Sequence, residues 1–169
     1  MWQKIVDYFQ DAPMRLQVAQ AIIRHGFKVR EPGDITCGSI RIPLKSIGDA
    51  LGVDRRTVRV TTEDICADEE LFNFFSNLEP AGSSLEGVRK MLGYGVVTIH
   101  VESPENPGIL SQVTSTIAGY GVPIRQVIAE DVAIHKEPCL KVITQTPLPG
   151  AAIEVLSSIA GVSRVILEQ

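Results

Sequence analysis

One segment constrains this chain more than any other, because its hydrophobic period changes abruptly from two residues to about 3.6. Val97, Ile99 and Val101 alternate with Thr98, His100 and Glu102, the pattern of a strand with one buried face. The stretch from Ser103 to Gly108 breaks that pattern. Ile109, Leu110, Val113, Ile117 and Ala118 then recur at helical spacing until Gly119 and Gly121. A strand is therefore expected to run through a Pro107-Gly108 turn directly onto a helix. Gly108 has no side chain to hold a ligand off the backbone, and the free amides of a first helical turn favour an anion such as a carboxylate. From these residues alone the turn is either a receptor for a small amino acid or simply a tight turn.

The same alternation of elements continues to the end of the chain. Val122 to Glu130 and Cys139 to Thr144 read as strands, separated by a loop from Asp131 to Pro138. Pro147 and Pro149 lead into a helix through Ile153, Val155, Leu156 and Ile159, which Gly161 ends, and Val162 to Leu167 reads as a last strand. The order βαββαβ predicts a four-stranded antiparallel sheet with both helices on one face, a ferredoxin-like arrangement.

The residues before it read as mainly helical, and Gly93-Tyr94-Gly95 is the expected boundary, dividing the chain into 1–93 and 94–169. Trp2, Ile5, Val6 and Phe9 suggest a short amphipathic helix. Asp11 and Pro13 suit the cap and first turn of a second one, carrying Val18, Ala19, Ile22 and Ile23 inward and stopping at His25-Gly26. Pro32-Gly33 between β-branched runs predicts a small hairpin over residues 27–42. Asp68 to Leu78 reads as a helix facing a core or another subunit through Leu71, Phe72, Phe75 and Leu78. Ser83 and Glu86 have the spacing of a capping box for a last helix through Val88, Met91 and Leu92.

Between the hairpin and that helix, Ile47, Gly48, Leu51, Gly52, Val53 and Val58 occupy the apolar, small and turn positions that let two helices meet steeply and share a core, with Asp54 able to cap the second. Arg55, Arg56, Thr57 and Arg59 then fall near that helix's N-terminus. Arginines there can grip phosphates or pair with guanine edges, and Thr57 can reach a phosphate or a base; the alternative is a helical hairpin whose arginines are merely solvated. Thr61 stands where a last apolar anchor would be usual.

Charge distribution adds to this. The formal net charge is only -4, but Arg15 to Arg59 holds nine basic residues against four acidic ones, whereas Val60 to Glu86 holds seven acidic residues and no basic one. A basic face beside an acidic one suits oriented docking on nucleic acid better than the total charge does. Hydrophobic residues make up 44% of the 169, enough for a core, and no apolar run approaches the roughly 20 residues that span a bilayer. With no basic start or small-residue cleavage site at the N-terminus, a cytoplasmic location and no membrane partner are expected. Cys37, Cys66 and Cys139 are irregularly spaced and read as buried thiols, and His25, His100 and His135 lie far apart. No phosphate loop, nucleophile elbow or metal signature is present, so neither catalysis nor a metal or other cofactor is expected.

The region from Ile47 to Arg59 resembles helix-turn-helix transcriptional regulators. Pro107 to Leu110 after the first strand, with the βαββαβ order, resembles an ACT domain, the small-molecule sensor attached to many amino-acid biosynthetic enzymes and regulators. The combination is similar to archaeal regulators of amino-acid metabolism that join the two. The resemblance implies an amino-acid effector held by Glu105, Asn106, Pro107, Gly108, Ile109 and Leu110, against Ile124, Arg125 and Gln126 of a partner subunit's second strand. Glu105 departs from the Asp or Asn common at its place in the family. It further implies contacts to double-stranded DNA from Lys45, Arg55, Arg56, Thr57 and Arg59, and a homodimer or higher homo-oligomer. Three readings remain open at this point: an amino-acid-responsive DNA-binding transcriptional regulator, a regulatory subunit of a biosynthetic enzyme that never touches DNA, and a dimerisation module with no effector.

Overall fold

The computed structural model describes residues 1–168, so Gln169, the last residue of the expected second domain, lies outside the described residues. The chain is a mixed α+β protein with two antiparallel sheets. It forms two compact units that divide between Gly82 and Ser83 rather than at Gly93.

In the first unit, α1 (Trp2–Tyr8) buries Ile5, and Phe9 just beyond it is buried too. Trp2 and Val6 remain exposed, so the buried stripe is narrower than the sequence pattern implies. α2 (Pro13–His25) has Ala12 at its N-cap with no side-chain cap, so Asp11 lies one position too early to serve. Gly26 ends α2 in the left-handed region (φ 62°), where its N–H and that of Phe27 reach back to the carbonyls of Ile23 and Ile22. The expected hairpin is a three-stranded meander of β1 (Lys28–Glu31), β2 (Asp34–Cys37) and β3 (Ile40–Ile42). The third strand exists because Gly38 (φ 56°) turns the chain back once more.

α3 (Leu44–Leu51) and α4 (Arg55–Ala67) follow, joined by Gly52, Val53 and Asp54. Asp54 caps α4 by accepting the Arg56 N–H at 2.7 Å. A Cβ on Gly48 would stand 2.7 Å from the Val53 carbonyl oxygen, so the turn lies directly on the α3 backbone. Thr61, at the place of the expected apolar anchor, is fully buried and donates its hydroxyl to the Thr57 carbonyl at 2.8 Å. Thr62, also buried, donates to the Arg59 carbonyl and accepts the Gly33 N–H at 2.7 Å, which ties the β1–β2 turn to α4.

α5 (Glu69–Ser76) buries Leu71 and Phe75, while Phe72 and Leu78 are only half-buried. Its N-cap, Asp68, accepts the N–H groups of Glu70 and Leu71 and an ammonium donor from Lys4. The Leu71 amide first, and then Lys4, hold the Asp68 carboxyl below its ordinary value of 3.8. A carboxyl lowered in the folded state stabilises fully above its unfolded pKa and loses that contribution as pH falls through the folded one. The expected result is that Asp68→Ala lowers the melting temperature at neutral pH and shrinks the gap to wild type below about pH 3.8, which a melting series from neutral to acid pH would read.

The second unit begins with a 3₁₀ turn, Glu86–Val88, and the single-turn α6 (Arg89–Leu92), not with the regular helix expected from Ser83. Ser84, not Ser83, accepts the Glu86 N–H, and Val88, Met91 and Leu92 stay exposed, Met91 at 88%. The sheet comprises β4 (Gly95–Val101), β5 (Ile124–Ala129), β6 (Cys139–Thr144) and β7 (Val162–Glu168), with α7 (Ile109–Gly119) after β4 and α8 (Ala151–Ser157) after β6. Strand order is β5-β6-β4-β7, antiparallel throughout. Val97, Ile99, Leu140 and Val142 meet Val113, Ile117, Ala152 and Leu156 in one core, so both helices cover the same face.

Residues 83–92 are tied to the sheet by polar contacts. The Gln126 amide donates to the Ser83 carbonyl at 2.7 Å and accepts the Leu85 N–H at 2.9 Å, while Lys141 pairs with Glu86 at 2.9 Å and Arg89 with Glu168 at 2.6 Å. These partners, far along the chain, explain why the segment belongs to the second unit. Among the described residues, no helix is long and apolar enough to cross a membrane.

Candidate nucleic-acid interface and candidate effector loop

The first unit holds a cleft of about 750 Å³ whose lining includes Arg41, Lys45, Arg55, Arg56 and Arg59, together with Gly33, Ile42, Pro43 and Leu44. Four of the five residues expected to contact DNA therefore share one cleft. Thr57 does not; it lines a shallower depression with Arg15, Arg56 and Val60 at the start of α2. Arg41, which lines the cleft from β3, was absent from the expected contacts, because a strand residue ahead of the helical pair carries no motif; only its place in the basic run pointed to it.

The electrostatics of the cleft are one-sided. Among the described residues, no carboxylate lines it. Arg41 and Arg59 are held by Asp34 and Glu63 at 2.9 and 3.0 Å, whereas Lys45, Arg55 and Arg56 have no salt-bridge partner among the described residues. Arg55 and Arg56 also open α4, whose first turn contains no acidic residue. Cations at the positive end of a helix dipole are unfavourable, by about 0.3–1 kcal/mol each at exposed sites. Such a local conflict is the kind that a functional site imposes on a fold.

In the second unit, Glu105, Asn106, Pro107, Gly108, Ile109 and Leu110 do come together, lining a pocket of about 340 Å³ with Ala129, Glu130, Pro138, Cys139 and Leu140 among its other walls. Gly108 is the N-cap of α7 with φ 96°, a conformation that L side chains rarely adopt, and no side chain caps the helix. Ile124, Arg125 and Gln126 are not part of this pocket. Ile124 pairs with Thr144 at the far end of the sheet, Arg125 stacks over Tyr94 at 5.6 Å, and Gln126 is engaged by Ser83 and Leu85.

Of the wall residues that sequence patterning missed, Glu130 is the charged one; it follows a strand with no motif around it. One of its oxygens accepts both the Cys139 N–H at 3.2 Å and the Cys139 thiol at 3.3 Å. Burial, and then this carboxylate, push the Cys139 thiol up to about 11, which makes it a neutral hydrogen-bond donor rather than a nucleophile. Cys37 and Cys66 are half-buried, less enclosed than expected. His25 stacks on Phe27, and His100 lies 2.9 Å from Arg164. Among the described residues, no group of three or more His, Cys, Asp or Glu side chains is placed to hold a metal ion.

No family model matches the chain, and no curated protein does. Among solved structures, the P2 domain of the chemotaxis kinase CheA, in complex with the response regulator CheY from Thermotoga maritima, is 17% identical over 45% of this chain and 95% of that one, with a TM-score of 0.36. PH0061 is 13% identical over 91% of this chain and 88% of that one, with a TM-score of 0.25. At these values neither likeness bears on function.

Proposed function

We propose that the protein is an amino-acid-responsive DNA-binding regulator, in which α3 and α4 act as a helix-turn-helix and the βαββαβ unit acts as an ACT-type sensor. One observation carries the reading: two arginines without salt-bridge partners sit at the unfavourable end of α4, in a cleft with three further cations and no lining carboxylate. A helix presented this way suits a DNA groove, with its cations on the flanking phosphates. The test is binding of the purified protein to duplex DNA across a series of salt concentrations. Affinity that falls steeply with salt supports the reading, and no salt-dependent binding removes it.

The sensor half rests on the complementarity of the second pocket to a zwitterion. The amides opening α7 suit a carboxylate, and Glu105 and Glu130 suit an ammonium group. Its size is that of a small-molecule site. A homodimer supplies both paired DNA half-sites and, as in the ACT resemblance, a second strand to close the loop. Effector and DNA then influence one another only so far as each prefers one arrangement of the dimer.

Screening the common amino acids by thermal shift should find one that raises the melting temperature. At a hundredfold excess over its Kd, a single-site ligand adds about 2.7 kcal/mol to stability. Gly108→Val should abolish the rise. That variant is strained at φ 96° and starts from a lower melting temperature, so the quantity to compare is the ligand-induced increment. A full screen with no increment for the wild-type protein would leave the second unit as a module without an effector.

A further inference from the structure

The basic cleft has two walls of different origin. Arg55 and Arg59 stand about one turn apart on α4, while Arg41 lies at the centre of β3 and Lys45 in the first turn of α3. The sheet wall is fastened to α4, because Thr62 accepts the Gly33 N–H at 2.7 Å. Arg59 reaches that turn as well: a Cβ on Gly33 would stand 3.7 Å from its Nη1. Arg41 and Arg59 each use Nε on a carboxylate outside the cleft lining, Asp34 at 2.9 Å and Glu63 at 3.0 Å. Each guanidinium is thereby steadied, and among the described residues neither arginine pairs with a second carboxylate. A steadied guanidinium with its terminal donors available matches a phosphodiester, whose oxygens accept two parallel N–H bonds.

We infer that Arg41 is a DNA-backbone contact: it holds a phosphate from the sheet side of the cleft and so extends the interface beyond the helical pair to β3. This rests on the DNA-binding reading above. Because a phosphate contact carries no sequence information, Arg41 sets affinity and register while leaving base preference to α4.

The experiment uses the full chain and mixed-sequence duplexes of about 30 base pairs, enough for several phosphate contacts, titrated from low to high salt. Arg41→Gln should reduce the slope of log affinity against log salt by about 0.9 and weaken binding about fivefold near physiological salt, equally for duplexes of different sequence. Arg41→Lys, which keeps a point charge, should retain the slope. Arg41 is 73% exposed but is the ion-pair partner of Asp34, which is 18% exposed, so melting curves of both variants are recorded beside the titrations to separate lost binding from lost stability. A wild-type slope in Arg41→Gln, alongside intact wild-type binding, overturns this inference and leaves the DNA reading standing. Losses confined to particular sequences assign Arg41 to a base edge and overturn the phosphate assignment. No salt-dependent binding by the wild-type protein overturns both.

Discussion

Replacing Arg55 and Arg56 together by Ala is expected to weaken duplex DNA binding roughly ten- to a hundredfold near physiological salt and to lower the salt slope by about 1.8, the loss of two phosphate contacts. The fold should not suffer. The Asp54 cap uses the Arg56 backbone N–H, which Ala retains, and neither side chain has a salt-bridge partner among the described residues. Removing two cations from the positive end of α4 relieves the dipole conflict, and Ala is the stronger helix former. The double variant should therefore melt slightly higher than the wild type while binding DNA far less well. Opposite movements of stability and affinity are hard to produce by partial unfolding, so a melting curve beside the salt titration separates the two causes. Binding unchanged in the variant would mean that the arginines are only solvated.

Gly26→Ala should be among the most destabilising single changes in the first unit. At φ 62° an L residue is strained by about 1–2 kcal/mol. In addition, the new Cβ would lie 2.6 Å from the Glu79 carbonyl oxygen and 2.7 Å from the Pro80 Cα, backbone atoms that cannot swing aside. Overpacking of this kind costs about 1–3 kcal/mol more, a large share of the 5–15 kcal/mol that holds a typical domain together. Gly38→Ala is the control: its φ is 56°, but a Cβ there meets nothing within 4 Å, so only the backbone strain remains. Denaturant unfolding of both variants should show Gly26→Ala losing clearly more. Equal losses would show that residues 79 and 80 yield easily.

How far these features could be read from residues depended on whether the signal was local. The β6 limits, the Gly26 and Gly52 stops and the Asp54 cap were legible because a short run of alternation, a glycine or an N-cap residue acts on its own neighbours. Asp11 misled for the same reason: a capping residue one position early looks identical in sequence. Strand β3 was missed because three residues after a glycine turn carry too little periodicity. The segment from Ser83 to Leu92 was misread as a regular helix because what orders it, Gln126, Lys141 and Glu168, lies far along the chain. The same limit applied to the sites. Adjacent residues of the Glu105 to Leu110 loop could be named, whereas Arg41 and Glu130 reach their clefts only through sheet pairing and chain return.

The place of β4 in the sheet has a consequence for how the chain acquires its structure. It is the first strand of its sheet to be made, yet both of its neighbours, β6 and β7, come much later, with Val96 opposite Ile143 on one side and Glu168 on the other. The first unit closes its meander over short loops and its longer-range pairs, such as Lys4 with Asp68 and Gly33 with Thr62, all within residues 1–82. Because distant pairings must close long loops before they are rewarded, the first unit can be in place on the ribosome while β4 still waits with both edges open. The basic cleft would then be complete before the pocket at the start of α7 exists.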